Sequence, residues 1–317
     1  MAVYTKVSPD QIEELFQKYD AGNFIKMIEI EEGIENSNYK IITNKNNYIL
    51  TIYEKRVNEK DLPYFINLME HLHQNGINCP QPLSDKNGLK LQNIKKKKSL
   101  IVSFLSGNAI KNINADHCYE LGRSLANFHI QGLKFNEIRQ NDLGYKSWLD
   151  LFNKSIKNSK NNNEYNFAKV KNIIVETVNN WPMDLQKGSI HADLFPDNVF
   201  FIGNKLSGII DFYFACYDIL AYDLSICINS WCFNENGNFL IERAQSIVTG
   251  YESIRKLSTK EKNSLLILSK GAAIRFYLTR LFDWYNTPSN ANVKKLNPND
   301  YYEKILFFDS LENLGIR

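Results

Sequence analysis

The string GSIHADLFPDNVFF at 188–201, followed by LSGIIDF at 206–212, constrains the fold more than any other feature of the chain. Short apolar runs flank a polar loop carrying His191, Asp193 and Asn198, and a further apolar run ends on Asp211. Short runs rich in β-branched and aromatic residues, bounded by Asp, Pro and Gly, read as strands, so the stretch is a strand, a loop and a β-hairpin. It interrupts a carboxy-terminal half whose other apolar residues recur at helical spacing. One Asp or Asn alone is an ordinary turn or cap residue. Four polar side chains fixed at loop and hairpin ends form a constellation.

The rest of the chain sets that constellation in a frame. Ser8, Pro9 and Gln11 form a capping box with proline at the first helical position, and Ile12, Leu15, Phe16 and Tyr19 follow at helical spacing. Residues 24–30, 39–43 and 48–53 read as three strands in an antiparallel meander. Leu62, Phe65, Leu68, Met69 and Leu72 give a helix over 61–74, with Gly76 as its stop. Two more strands, 88–94 and 99–104, flank Lys95–Lys98, which reads as a solvated turn. Ser106-Gly107-Asn108 is a connector, after which strands give way to helices near Leu121–Phe128, over 147–158 and 164–180, and at least three times between 219 and 285. The expected architecture is α+β in two lobes: an N-lobe, 1–105, of antiparallel sheet plus helix, and a mostly helical C-lobe, 106–317, that holds the β-hairpin.

Composition excludes several classes. A chain of 317 residues, 44% hydrophobic, is long enough for two structural units. Its 38 basic and 35 acidic residues leave a net charge of +3, without the clustered excess that a nucleic-acid surface needs. Five cysteines, at 79, 118, 216, 227 and 232, include no C-x-x-C pair, which argues against a disulfide framework and for a reducing compartment. The start MAVYTKVSPD lacks signal-peptide regions, and each apolar stretch is soon broken by a charge or an Asn, so no membrane span and a cytoplasmic location are expected.

The pattern His-x-Asp-Leu-x-x-x-Asn, followed after a hairpin by Asp-Phe, resembles the catalytic loop of protein-kinase-like enzymes. The strings YILTIYEKRV (48–57), DLPYFINLMEHL (61–72), GINCPQPL (76–83), GIIDFYFACYDILAYDLSICINSWCF (208–233) and RFYLTRLFDW (275–284) extend the likeness over nearly the whole chain. It resembles the aminoglycoside-phosphotransferase-like branch of that fold and, within it, the bacterial homoserine kinases. The resemblance implies a protein-kinase-like fold and transfer of the ATP γ-phosphate to the side-chain hydroxyl of L-homoserine, a step of threonine biosynthesis. It implies Asp193 as the catalytic base and Asn198 and Asp211 as magnesium (Mg2+) ligands, while His191 braces the loop. Nucleotide would lie between the lobes, with adenine on backbone groups around Ser103 to Gly107, Leu105 included, and the loop Glu32–Asn38, carrying Gly33 and Ser37, over the phosphates.

Two departures from the protein-kinase pattern stand out. Thr51 occupies the strand position of the phosphate-binding lysine, which leaves Lys40 and Lys55 as candidate replacements, each equally readable as a surface lysine. Ala192 replaces the arginine of the loop motif, so no phosphorylation switch is expected. For an amino-acid acceptor, arginine suits the carboxylate and a carboxylate suits the ammonium. Arg275 and Arg280 lie about 140° apart on one helix, so one is free to face substrate while the other pairs with Asp283 or Asp223. Asp218 and Asp223 are the ammonium candidates, and Asp223 also reads as a cap for a helix beginning at Leu224. Alternatives are a kinase for another small alcohol, such as choline, a thioribose or an aminoglycoside, and a nucleotide-binding module without turnover, suggested by Thr51. The expected partner is a small molecule, with no nucleic acid or membrane; monomer and homodimer both remain open.

Overall fold

A computed structural model describes residues 4–30, 36–54, 57–159, 165–287 and 295–316. The chain divides into two compact units, Met1–Gly107 with Ser207–Tyr213, and Asn108–Leu206 with Phe214–Arg317. The first unit thus takes back a short segment from the stretch that the sequence reading left in the C-lobe.

In the first unit α1 (Pro9–Phe16) opens on the expected capping box, the Ser8 hydroxyl accepting from Gln11 N–H and the Gln11 side chain accepting from Ser8 N–H. Strands β1 (Phe24–Ile30), β2 (Ser37–Thr43) and β3 (Asn47–Ile52) precede α2 (Leu62–Gln74), and β4 (Leu91–Ile94) and β5 (Lys97–Ser103) follow it. All pair antiparallel in the order β1-β2-β3-β5-β4. Alternation puts Tyr39, Ile41, Leu50, Ile52 and Ile101 on one face, where they bury Ile12, Leu15 and Phe16 of α1. Thr51 lies on the opposite face. The lysine run is a turn only in part. Lys95 and Lys96 take left-handed φ values of 48° and 66°, which suits a two-residue hairpin turn, but Lys97 belongs to β5 and its ammonium binds Glu54 and Thr5.

The second unit runs β6 (Asn108–Ala109), α3 (Ala115–Gly132), α4 (Trp148–Ile156), α5 (Phe167–Asn179), β7 (Lys187–Ile190), β8 (Val199–Ile202), β9 (Lys205–Ile209), β10 (Cys216–Ile219), α6 (Leu220–Trp231), α7 (Ile241–Glu252), α8 (Thr259–Asn286) and α9 (Asn299–Asp309), with β9 ending inside the first unit. β7 pairs antiparallel with β10, a strand the sequence reading missed because CYDI is too short to show a period. α6 is buried on nearly every face, as a central helix must be if it is apolar all round. α3 and α7 cross at two glycines: a Cβ on Gly122 would lie 2.0 Å from the Ile247 carbonyl oxygen, and one on Gly250 2.1 Å from that of Tyr119. α9 lies beyond the helices expected from sequence, although Tyr301, Ile305 and Phe308 do recur at helical spacing. All five cysteines are buried free thiols, and among the described residues no helix is long and apolar enough to cross a membrane.

Candidate active site

The loop from β7 to β8 carries Asp193. Strand pairing of Ile190 with Cys216 fixes its start, and a short 3-10 turn, Pro196–Asn198, returns the chain to β8. Between them Ala192 sits at φ 64°, a left-handed conformation that costs a residue with a Cβ roughly 1–3 kcal/mol and is held only by its surroundings. Asn198 closes the loop on itself, its amide nitrogen donating to the Asp193 carbonyl at 2.8 Å and to the Asp193 carboxylate at 3.3 Å. That leaves the Asn198 carbonyl oxygen for another partner. His191 is fully buried and its Nδ1 accepts from the Asp193 N–H at 3.3 Å, a bracing position. The Asp193 side chain is 19% exposed and so remains reachable.

Behind the loop lies a buried polar network. Asp223 accepts from the His191 and Ala192 backbone N–H groups, both at 2.8 Å, one on each carboxylate oxygen. His129 of α3 meets the same carboxylate through Nε2 at 3.1 Å, and its Nδ1 lies 2.7 Å from the Tyr251 hydroxyl. Arg255 donates to Tyr251 at 3.2 Å and pairs with Glu261 at 2.7 Å. Burial holds the His129 imidazole below its ordinary range and outweighs the pull of Asp223. Burial alone would raise the Asp223 carboxyl, but the hydrogen bonds from His129 and from the loop amides hold it below the carboxylate range. Every role then closes with neutral His129: Nε2–H donates to Asp223, and Nδ1 accepts from Tyr251. Sequence alone gave His129 and Tyr251 no signal beyond helical periodicity.

Two acceptor candidates need correction. Asp223 is fully buried and occupied by loop amides, so it is neither an ammonium partner nor a helix cap; α6 begins three residues earlier. Arg275, 2% exposed, donates to the Ala192 carbonyl, lies 3.9 Å from the Asp193 carboxylate and stacks 4.4 Å from the Phe276 ring centre, so it supports the loop. Arg280 pairs with Asp300 at 2.9 Å, rather than with Asp283 or Asp223. Asp218 accepts from Asn141 at 2.7 Å, and burial pushes its carboxyl up.

The remaining candidates lie in the first unit or outside the described residues. Asp211 sits at φ 66°, and its charge helps raise the neighbouring Tyr53 and Tyr213 phenols, after burial; Tyr213 is pushed up to about 12. Thr51 donates to Asn38 at 2.8 Å across the β2–β3 register. The Lys40 ammonium lies 3.9 Å from the centre of the Phe104 ring in the connector. Ser37 is fully buried: its hydroxyl donates to Glu54 and accepts from Tyr4 and Thr5 N–H, so its side chain does not reach a nucleotide, a second correction. The Ser103 and Phe104 N–H groups are taken by the Gln81 and Asn47 carbonyls, which leaves Leu105, packed where a Cβ on Gly208 would stand, as the next backbone group. Gly33 and Lys55 lie outside the described residues.

Residues 26–257 match the model of the phosphotransferase enzyme family. The chain belongs to that family. The homoserine kinase of Xanthobacter autotrophicus is 44% identical over 319 residues, covering 100% of this chain and 99% of the relative. That of Methylobacterium radiotolerans is 46% identical, over 97% and 96%. Among solved structures, an amicoumacin kinase has a TM-score of 0.68 at 14% identity, over 96% of this chain and 92% of the other. A choline kinase from Cryptosporidium parvum also has 0.68, at 13% identity, over 95% and 94%. At such identities these structures speak for the fold, which is the two-lobed protein-kinase-like α+β fold.

As a member of the phosphotransferase family the chain is a kinase that uses ATP, and such enzymes typically use a divalent metal ion. The chemistry of the candidate ligands suits a hard cation: Asn198 of the second unit keeps an amide carbonyl oxygen clear of its own bonds to Asp193, and Asp211 of the first carries a carboxylate. Among the described residues no three His, Cys, Asp or Glu side chains converge. An ion held by one or two protein oxygens and completed by phosphate and water needs no such cage.

Proposed function

We propose that this chain is a homoserine kinase, transferring the γ-phosphoryl group of ATP to the side-chain hydroxyl of L-homoserine to give O-phospho-L-homoserine and ADP, in threonine biosynthesis. The observation that carries the reading is 44% identity, end to end, with a relative of that name, joined to a loop that holds a reachable carboxylate in a hydrogen-bonded frame. Asp193 orients the acceptor hydroxyl and takes its proton as the oxygen–phosphorus bond forms and the bond to the β-phosphate oxygen breaks. Magnesium would supply the countercharge for the phosphates, with Asn198 and Asp211 as its candidate ligands. Asp193 is kept in register by Asn198 in front and by Arg275, His191 and Asp223 behind. Asp218, partly buried beside Asn141, is our assignment for the acceptor ammonium, and the cytoplasm is our assignment for the compartment, consistent with five buried thiols.

The test is ADP release with ATP, magnesium and L-homoserine, beside L-serine, L-threonine, choline and kanamycin. Selective turnover of L-homoserine is expected. Preference for another acceptor overturns the substrate and keeps the chemistry.

A further inference from the structure

Tyr301 of α9 is 1% exposed, yet its hydroxyl has no hydrogen-bond partner. Several buried hydroxyls of the described residues share this state, and Tyr301 is set apart by its position; a ligand atom that completes it is one cause. The ring sits in an unusual charge field. The Arg280 guanidinium and the Lys304 ammonium each lie 4.5 Å from its centre. Lys304 donates to the Asn229 carbonyl at 2.7 Å, and Arg280 is paired with Asp300.

The position is close to the reacting loop. Phe276 packs against Phe195, two residues after Asp193, at 4.9 Å, and against Tyr301 at 5.2 Å. The preceding residue, Arg275, is 3.9 Å from the Asp193 carboxylate. The phenol is raised first by burial, and it feels the charges of Arg280, Asp193, Arg275 and Asp300. Two cations, Arg280 and Lys304, thus lie on the ring, and one carboxylate, Asp300, pairs with Arg280. The excess is positive, and the unused donor beside it is a phenol, so the matching ligand group is an anion that accepts hydrogen bonds.

We propose that Tyr301 belongs to the acceptor subsite, its hydroxyl donating to the α-carboxylate of the amino-acid acceptor while Arg280 and Lys304 balance the charge. This deepens the homoserine kinase reading and rests on it. The subsite selects alcohols that carry a carboxylate, because an acceptor without one leaves the phenol unpartnered and the local positive charge unmet.

The test uses Tyr301→Phe in the full chain, with L-homoserine and 3-aminopropan-1-ol as acceptors; the second keeps the hydroxyl and amine and lacks the carboxylate. A hydrogen bond to a charged group is worth roughly 10- to 100-fold in binding, so KM for L-homoserine should rise by that factor. The values of kcat and of KM for ATP should stay within about twofold, and kcat/KM for aminopropanol should not change. An unchanged KM for L-homoserine, or equal losses on both acceptors, overturns the proposal. Thermal melting separates this from misfolding and from failure of the kinase reading. The free variant should melt at the same or a higher temperature than wild type, since an unpartnered polar atom has been removed, and the rise that L-homoserine gives wild type should be lost. If wild type turns over no L-homoserine but is stabilised by it through Tyr301, the subsite stands without the activity. If L-homoserine stabilises both proteins or neither, the subsite falls.

Discussion

A carboxylate with no exposed surface must find all its partners inside the protein, and Asp223 finds them on the back of the catalytic loop. Two of its donors are the backbone amides of His191 and of the strained Ala192, and the third is His129. His129→Ala removes that donor, and destabilisation of about 2–4 kcal/mol is expected by denaturant titration. Because the loop loses its brace, kcat should fall by about 10- to 100-fold with KM for ATP unchanged, and His129→Gln, which keeps a donor and an acceptor, should recover part of the loss. A loss of stability without any change in kcat would show His129 to be packing alone. The pair also predicts acid sensitivity. His129 is held below its unfolded value, so the unfolded chain binds its proton first and stability falls as pH drops below about 6.5. Asp223, also depressed, contributes stability above the ordinary carboxylate value that is lost as pH falls through its lower folded value. At the front of the loop, Asp193→Asn should lower kcat by about 10²- to 10⁴-fold and spare ATP affinity, measured by single-turnover rates and nucleotide titration. Asp193 stood out in the sequence because the pattern that singles it out, from His191 to Asn198, is carried by its neighbours in the chain. Asp223, Arg275 and Ser37 were misread because their partners come from distant elements, and no spacing shows whether a polar side chain points inward.

Elements were read where period and punctuation agreed. The capping box of α1, the strands of the first sheet and the apolar stripe of α2 are all local statements, and the structure repeats them within a few residues. β10 and α9 were missed for different reasons: the first is four residues long, and the second follows a polar stretch past the last expected helix. The crossing of α3 and α7 was invisible because two isolated glycines in helical patterns resemble any others. There a methyl group would strike backbone oxygen on the opposite helix. Gly122→Ala and Gly250→Ala should each lose about 1–3 kcal/mol or more in thermal or urea unfolding, although alanine is the better helix former. Since α3 carries His129 and α7 carries Tyr251, kcat should fall with stability in these variants. A neutral or stabilising effect would mean that the helices move apart freely.

At the scale of the whole molecule, the metal and the fold should separate. The core is built of apolar side chains that take no part in binding an ion, so chelation with EDTA should abolish phosphoryl transfer, restored by magnesium, and leave the melting temperature of the nucleotide-free protein unchanged. Asp211→Ala should mimic the loss of activity at all attainable magnesium concentrations. Melting that follows chelation would point to a structural ion instead.

The return of Ser207–Tyr213 to the first unit has a consequence for how the chain is made. A ribosome that has released residue 107 has not released a complete first unit, because the last piece lies roughly 100 residues downstream. At translation rates of about 5–20 residues per second the first unit waits some 5–20 s for that piece. The two units cannot mature strictly one after the other: finishing the first requires that much of the second is already synthesised. An arrested nascent chain ending just after 107 should therefore be more open to protease than one ending well past 213.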